Sequence, residues 1–253
     1  MKKNELLKQI VYIFLKIVII ICLIIQVKNR NWNNTTICIL GLILSETPNL
    51  IKYYYNIELT TTLEVLFYIF LFCAQILGEM ANFYSKFPYL DTILHIVSGF
   101  TMAGFGFALV NILNKNQNIH KKLEHTFIML FAICFSMTVG VIWEFCEFTI
   151  DQTLGKDMQK DQIIRNISST KINKNQVNDP ITINNIDKTT IYTRSKETTL
   201  DGYLDIGLVD TMKDLYVNLL GAFIFSLMIK YDLKSEKKYN LTKFFMPRLM
   251  KDE

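Results

Sequence analysis

A chain of 253 residues that is 51% hydrophobic, with a net charge of +4, departs from the composition of a soluble globular enzyme. Its apolar residues gather in blocks of about twenty, the length that spans a hydrocarbon core about 30 Å thick, so the composition selects an integral membrane protein. The basic residues sit in connectors and at both ends, with no dense Arg/Lys stripe and no run of stacking aromatics. That pattern excludes a nucleic-acid-binding face and suits anionic lipid head groups.

The first segment, MKKNELLKQIVYIFLKIVIIICLII, has the basic start and apolar core of a signal peptide. QVKNRNW follows in place of a small-residue cleavage site, so the segment is read as an uncleaved span near 9–26. Lys16 is near enough to its basic end to snorkel. Further spans are expected near 36–54, 62–80, 91–113, 126–150 and 209–230, giving an all-α integral membrane fold, a polytopic bundle of about six transmembrane helices. In the second span SETPNL interrupts the apolar run, and Pro48 is expected to kink the helix. Glu46 is then either a functional intramembrane acid or a residue turned into the bundle beside the kink.

Orientation follows from the basic residues. Lys2, Lys3 and Lys8 precede the first span, and Lys115, Lys121 and Lys122 lie between the fourth and fifth. Lys234, Lys237, Lys238, Lys243, Arg248 and Lys251 follow the last. The positive-inside rule puts these sets on one side, which six spans satisfy with both termini cytoplasmic in the cell membrane. Lys28 and Arg30, in the first outer loop, run against it. Tyr53, Tyr54 and Tyr55 beside Lys52 would form part of an inner interfacial belt. His120 and His125 fall in a cytoplasmic loop and receive no role.

Four regions are expected: 1–60 with the first two spans, a core of 61–151 with 208–231, a polar extracytoplasmic insertion at 152–207, and a basic cytoplasmic tail at 232–253. The insertion carries eight Lys and Arg, which does not overturn the orientation because long loops translocate largely regardless of charge. Its middle, 163–195, is rich in Asn, Lys, Ile and Thr and reads as weakly structured, although ITINNI and TTIYT could pair as a small hairpin. The five cysteines lie inside apolar blocks without a CxxC and are read as buried free thiols.

The acids gather at helix ends that this topology brings to the outer leaflet: Glu79, then Asp91 with His95, then Glu144, Glu147 and Asp151, then Asp210, Asp214 and Asn218. Glu144, Glu147 and Asp151 are three and four residues apart and share one helix face, as do Asp91 with His95 and Asp210 with Asp214. Charged groups near a helix centre cost about 2.5–3.5 kcal/mol each, so these must face one another, water or a bound cation. One reading is a satisfied polar network that locks the helices, with Lys86 or Lys213 as counter-charges. Against it stands the excess of carboxylates, which repel unless protons or metal ions neutralise them. Asp, Glu and one His form a ligand set for a divalent cation, and Zn, Mn or Fe suits that mixture better than Ca. The expected ligands are Asp91, His95, Glu144 and Asp214, with Glu147 or Asp210 as the general base. Ser98 beside Gly99 could be a nucleophile, but small residues there favour close helix packing.

DTILH (91–95) and DTMKD (210–214) each open a helix after a span that ends in acid. Spans three–four and five–six are therefore expected to form a repeated hairpin about an axis along the membrane normal. LGEMANFYSKFPYLDTILHIVSGF, GVIWEFCEFTIDQTLGKDMQKD and GLVDTMKDLYVNLLGA resemble the bacterial membrane-spanning proteins grouped with the inner-membrane protein YjdF. More distantly, the Asp–His, acid-helix and Asp–Asn–Gly pattern is similar to VanZ-like proteins. The resemblance covers about residues 60–230 and marks Asp91, His95, Glu144, Glu147, Asp210 and Asp214 as motif residues, while the 152–207 insertion departs from it. It implies a membrane protein and assigns no activity. The sequence leaves three functions open: metal-assisted hydrolysis of a lipid or lipid-linked substrate, a proton- or cation-coupled transporter using the same acids, and a non-catalytic membrane scaffold.

Overall fold

The structure, a computed structural model, describes residues 2–116, 125–175, 177–235 and 240–250. His120, Lys121, Lys122, Lys237, Lys238 and Lys251 lie outside the described residues, as do the side chains of Lys2, Lys3 and Lys115. The chain forms two compact units, Met1–Val141 with Asp214–Glu253, and Ile142–Lys213.

In the first unit, α1 (Lys2–Lys28) is a single helix, and its continuous Ile/Leu/Val run leaves it apolar on nearly every side. The predicted second span is instead two helices, α2 (Trp32–Leu44) and α3 (Thr47–Tyr55). The physical reason is Pro48. A helix continuing through it would lose one backbone hydrogen bond and drive the proline ring into the Leu44 carbonyl. The chain therefore stops at Leu44 and starts again with Pro48 in the first turn of α3, where a missing N–H costs nothing. After a two-residue strand β1 (Ile57–Glu58), α4 (Thr61–Leu71) passes into a π-helical segment, Phe72–Met80. The short α5 (Phe83–Lys86) leads to α6 (Tyr89–Asn116).

Among the described residues five helical stretches are long and apolar enough to cross a membrane: Glu5–Lys28, Thr61–Met80, Tyr89–Leu113, His125–Leu154 and Leu208–Lys234. Glu5 and Lys8 near the start of α1 meet Thr61 and Glu64 at the start of α4, with Lys8 Nζ 2.9 Å from the Glu64 carboxylate. The two helices therefore run parallel, and α2 with α3 must carry the chain back along the length of α1. The buried residues Leu15, Ile19, Cys38, Tyr68, Leu71 and Ile76 form the core of this N-terminal group.

A second core joins α6 to the parts of α7 (His125–Leu154) and α8 (Leu208–Lys234) that belong to the same unit. Ala103, Phe107, Val110, Ile128, Ala132, Ala222, Phe225 and Ile229 are buried there. Along α6 and α8 the neighbours advance together, His95 with Asp214, Gly99 with Asn218 and Phe107 with Phe225, so these helices are parallel. Helix α7 runs against both, with the Ser136 hydroxyl donating to the Gly99 carbonyl at 2.9 Å. The C-terminal strand β8 (Arg248–Leu249) pairs antiparallel with β1, which brings that segment to the end of the unit where α4 begins.

The second unit holds three small antiparallel ladders: β2 (Gln162–Ile164) with β7 (Tyr203–Asp205), β3 (Ile167–Ser169) with β4 (Ile181–Ile183), and β5 (Thr189–Tyr192) with β6 (Glu197–Leu200). ITI and TTIY are strands, as their β-branched residues suggest, but they do not pair with each other. Each finds a nearer partner, Ile167 opposite Ile183 and Thr189 opposite Leu200. Of the cysteines, Cys38 is buried, while Cys134 and Cys146 are exposed on the helix surface, where a spanning helix meets lipid tails.

Candidate functional site

Three of the predicted ligands meet in the first unit. Asp91 and His95 stand one turn apart near the start of α6, and Asp214 faces them from α8. His95 Nε2 lies 3.7 Å from Asp91 Oδ1 and 3.7 Å from Asp214 Oδ2. Asp214 is 1% exposed, so its carboxylate is held away from solvent and lipid alike.

The approach is set by glycine. A Cβ on Gly99 would lie 2.0 Å from the Asn218 carbonyl oxygen, and one on Gly221 would lie 2.0 Å from the Ile96 carbonyl oxygen. Only bare backbone fits on both sides of the crossing. The expectation that small residues beside Ser98 serve packing is met at Gly99. Asn218, 2% exposed, donates from Nδ2 to the Ser136 carbonyl at 3.4 Å, so three helices are tied together one turn below Asp214.

Separations of 3.7 Å are too long for hydrogen bonds between those atoms. They are close to the spacing of donors around a tetrahedral cation, where metal–ligand bonds of about 2.0–2.2 Å place neighbouring donors roughly 3.4 Å apart. All three donor atoms lie within 4.8 Å of one another, so a small inward closure would make a three-donor half-shell of one imidazole and two carboxylates. The donor set therefore fits a divalent transition metal or zinc.

Glu144, Glu147, Asp151 and Asp210 belong to the second unit. Glu144 is 4% exposed and Glu147 is 8% exposed, with the Trp143 indole N–H donating to Glu147 at 2.8 Å. Asp210 is equally buried and accepts from the Lys160 backbone N–H at 2.9 Å. Asp151 accepts from the backbone N–H groups of Met158 and Gln159 at 2.7 and 2.9 Å, clasping the turn that leaves α7. Asp151 and Asp210 thus each hold backbone in place. Glu79 is exposed on the π-helical segment, and Lys86 donates to the Ala81 carbonyl at 3.1 Å.

Sequence reasoning missed the partners of Glu46. Its carboxylate accepts from the Tyr12 hydroxyl and the Asn49 amide, each at 2.8 Å, and pairs with Lys16 Nζ. Lys16 also lies 4.4 Å above the Tyr12 ring. Of the two readings of Glu46, the geometry selects the residue turned into the bundle. A spacing of four places Tyr12 and Lys16 on one face of α1, a signal that could have paired them with a single acid in the next apolar segment.

Apolar helices of spanning length around a sheltered Asp/His cluster define a multi-pass membrane protein. The chain belongs to the family described as predicted membrane protein DUF2238, whose model matches residues 7–235. It is 31% identical over 83 residues to an uncharacterized protein of Thermotoga maritima, a match covering 33% of this chain and 41% of the relative. The match thus spans less than half the length of that curated relative. No solved structure matches.

Proposed function

We propose that this protein crosses the membrane six times and binds a divalent cation through Asp91, His95 and Asp214, in support of hydrolysis of a lipid or lipid-linked substrate. The observation that carries the reading is the placement of His95 Nε2 at 3.7 Å from carboxylate oxygens on two different helices. A cation held there supplies Lewis acidity and offsets the two negative charges. Asp214 fixes the cation from a buried position, His95 adds the softer nitrogen donor, and Asp91, with a side chain 22% exposed, is the donor nearest an approaching substrate. The parallel run of α1 and α4 supports the count of six, since an interrupted traverse by α2 and α3 lies between them. The parallel α6 and α8 support the repeated hairpin.

Elemental analysis of the purified protein tests the reading. Near-stoichiometric Zn, Mn or Fe is expected, lost in His95→Ala and Asp214→Asn variants that stay folded. Because the cation binds the folded state, adding it back should raise the melting temperature. Metal-free protein whose stability ignores added cations would overturn the proposal and favour a proton-coupled transporter or a structural network.

A further inference from the structure

Lys16 stands near the middle of a spanning helix. It lies eleven residues after Glu5 and twelve before Lys28 on α1, about 17 Å of helix either way, which is near the centre of a hydrocarbon core about 30 Å thick. Its ammonium turns to Glu46, which also accepts from Tyr12 and Asn49. The pair lies at the rim of the N-terminal group. The Lys16 and Glu46 side chains are 30% and 39% exposed, and Asn49 beside them is exposed. Helix α1 is also the least covered of the five spanning stretches, with 11% of its most apolar part buried.

A cation, an anion and an amide on that rim would meet lipid tails, which offer neither donor nor acceptor. Hydrogen-bonding capacity is left over. Lys16 has three N–H groups, of which Glu46 and Tyr12 occupy two at most, and the Asn49 side-chain oxygen accepts from none of the described residues. A cover must therefore bring an acceptor to Lys16 and a donor to Asn49 at one depth. A second copy does both. Lys16 lies on α1, while Glu46 and Asn49 lie on the neighbouring α2–α3 segment, so the two charges stand side by side. A two-fold axis along the membrane normal keeps every residue at its own depth and exchanges left for right. It sets Lys16 against Glu46 and Asn49 of the second copy, and the reverse.

We propose that Lys16, Glu46 and Asn49 form the centre of a two-fold interface between two copies of this chain, flanked on α1 by Ile13 and Ile20. Those isoleucines, three residues before and four after Lys16, share its side of the helix and are exposed. The acid–histidine cluster takes no part in this interface, so either proposal can fail alone.

The test counts copies of full-length protein in phosphatidylcholine–phosphatidylglycerol vesicles by stepwise photobleaching, with one fluorophore at Ser195→Cys and the five native cysteines replaced. Paired copies should predominate at high protein density and separate on dilution with lipid. Each contact is made twice across a two-fold axis, so Lys16→Met with Glu46→Gln should raise the density of half-pairing at least tenfold. Ile13→Trp leaves the ion pair intact and points outward; it should shift pairing likewise, with no loss of melting temperature. Phe14→Trp, exposed and about 160° around α1 from Lys16, should leave pairing unchanged. Where the double variant fails to fold, the two tryptophan variants decide the matter. Single copies at every density would overturn the interface. Pairing unmoved by Ile13→Trp or by a folded double variant, or moved equally by Phe14→Trp, would place the contact on another face and overturn it too.

Discussion

At the scale of single residues, ionisable groups are tolerated here when a named partner neutralises them. Lys16 and Glu46 are the clearest pair, with side chains 30% and 39% exposed. Removing one partner leaves an uncompensated charge in an apolar surround, whereas removing both leaves none. Lys16→Met should destabilise by an amount between the roughly 1 kcal/mol of a surface pair and the roughly 3–5 kcal/mol of a buried one. Lys16→Met with Glu46→Gln should recover part of that loss, read as melting temperature in one detergent; a double variant no better than the single would refute the pairing. Asp161, in the second unit, is the opposite case. Partial burial and the neighbouring Asp157, Asp151 and Asp205 raise its carboxyl above the usual value. With a folded pKa above the unfolded one, the folded state holds the proton more tightly. The stabilisation is present below the unfolded value of 3.8 and is lost as pH rises through the folded pKa. Asp161→Asn should therefore stabilise the second unit slightly at pH 7, within about 0.5 kcal/mol as for most surface changes, and not at all near pH 3. Hydrogen exchange of the β2–β7 ladder at the two pH values separates these outcomes.

At the scale of elements, the long helices were legible because an unbroken apolar run of spanning length has few other solutions in a bilayer. The break at Leu44 was legible as a disturbance, since SETPNL carries both Glu46 and Pro48, but the sequence favoured a kink. A kink needs a neighbour to satisfy the freed carbonyls, and two helices satisfy them locally. The π-helical stretch Phe72–Met80 was not legible at all, because nothing in its residue types separates it from an α-helix. In the insertion, strand identity could be read from Ile181–Ile183 and Thr189–Tyr192, while pairing could not, since neither short run has a pattern that selects a partner. The Asp91–His95–Asp214 cluster was legible in part. Helical spacing joined Asp91 to His95, but only the glycine crossing of α6 and α8 brings Asp214 against them. Gly99→Ala should push the helices apart, costing about 1–3 kcal/mol as overpacking does, and should weaken cation retention more than a distant substitution of equal cost. Melting temperature and bound metal measured on the same preparation test this; lost stability with full metal content would detach the crossing from the site.

At the scale of the whole molecule, the arrangement of chain ends decides what the protein can present to each side of a membrane. The start of α1 lies beside the start of α4, and the segment holding β8 lies beside β1 just before it. One end of the first unit thus gathers Lys8, Lys52, Lys243 and Arg248, an excess of basic residues that anionic lipid on the inner leaflet would hold. Lys28 and Arg30, at the far end of α1, and Lys86 on α5 oppose that bias with three charges against four. We therefore expect both chain termini inside the cell and the insertion outside. Single cysteines at Asn240 and Ser195, in a background without native cysteines, place each position by reaction with an impermeant maleimide in intact cells. Ser195 should label in intact cells, and Asn240 only after the membrane is opened. The reverse pattern would invert the protein and turn the Asp91–His95–Asp214 cluster to the cytoplasm. A lipid-linked substrate would then have to be reached from the inner leaflet. Labelling of both positions in intact cells would contradict the single crossing by α8 between the insertion and the tail, and with it the six-span count.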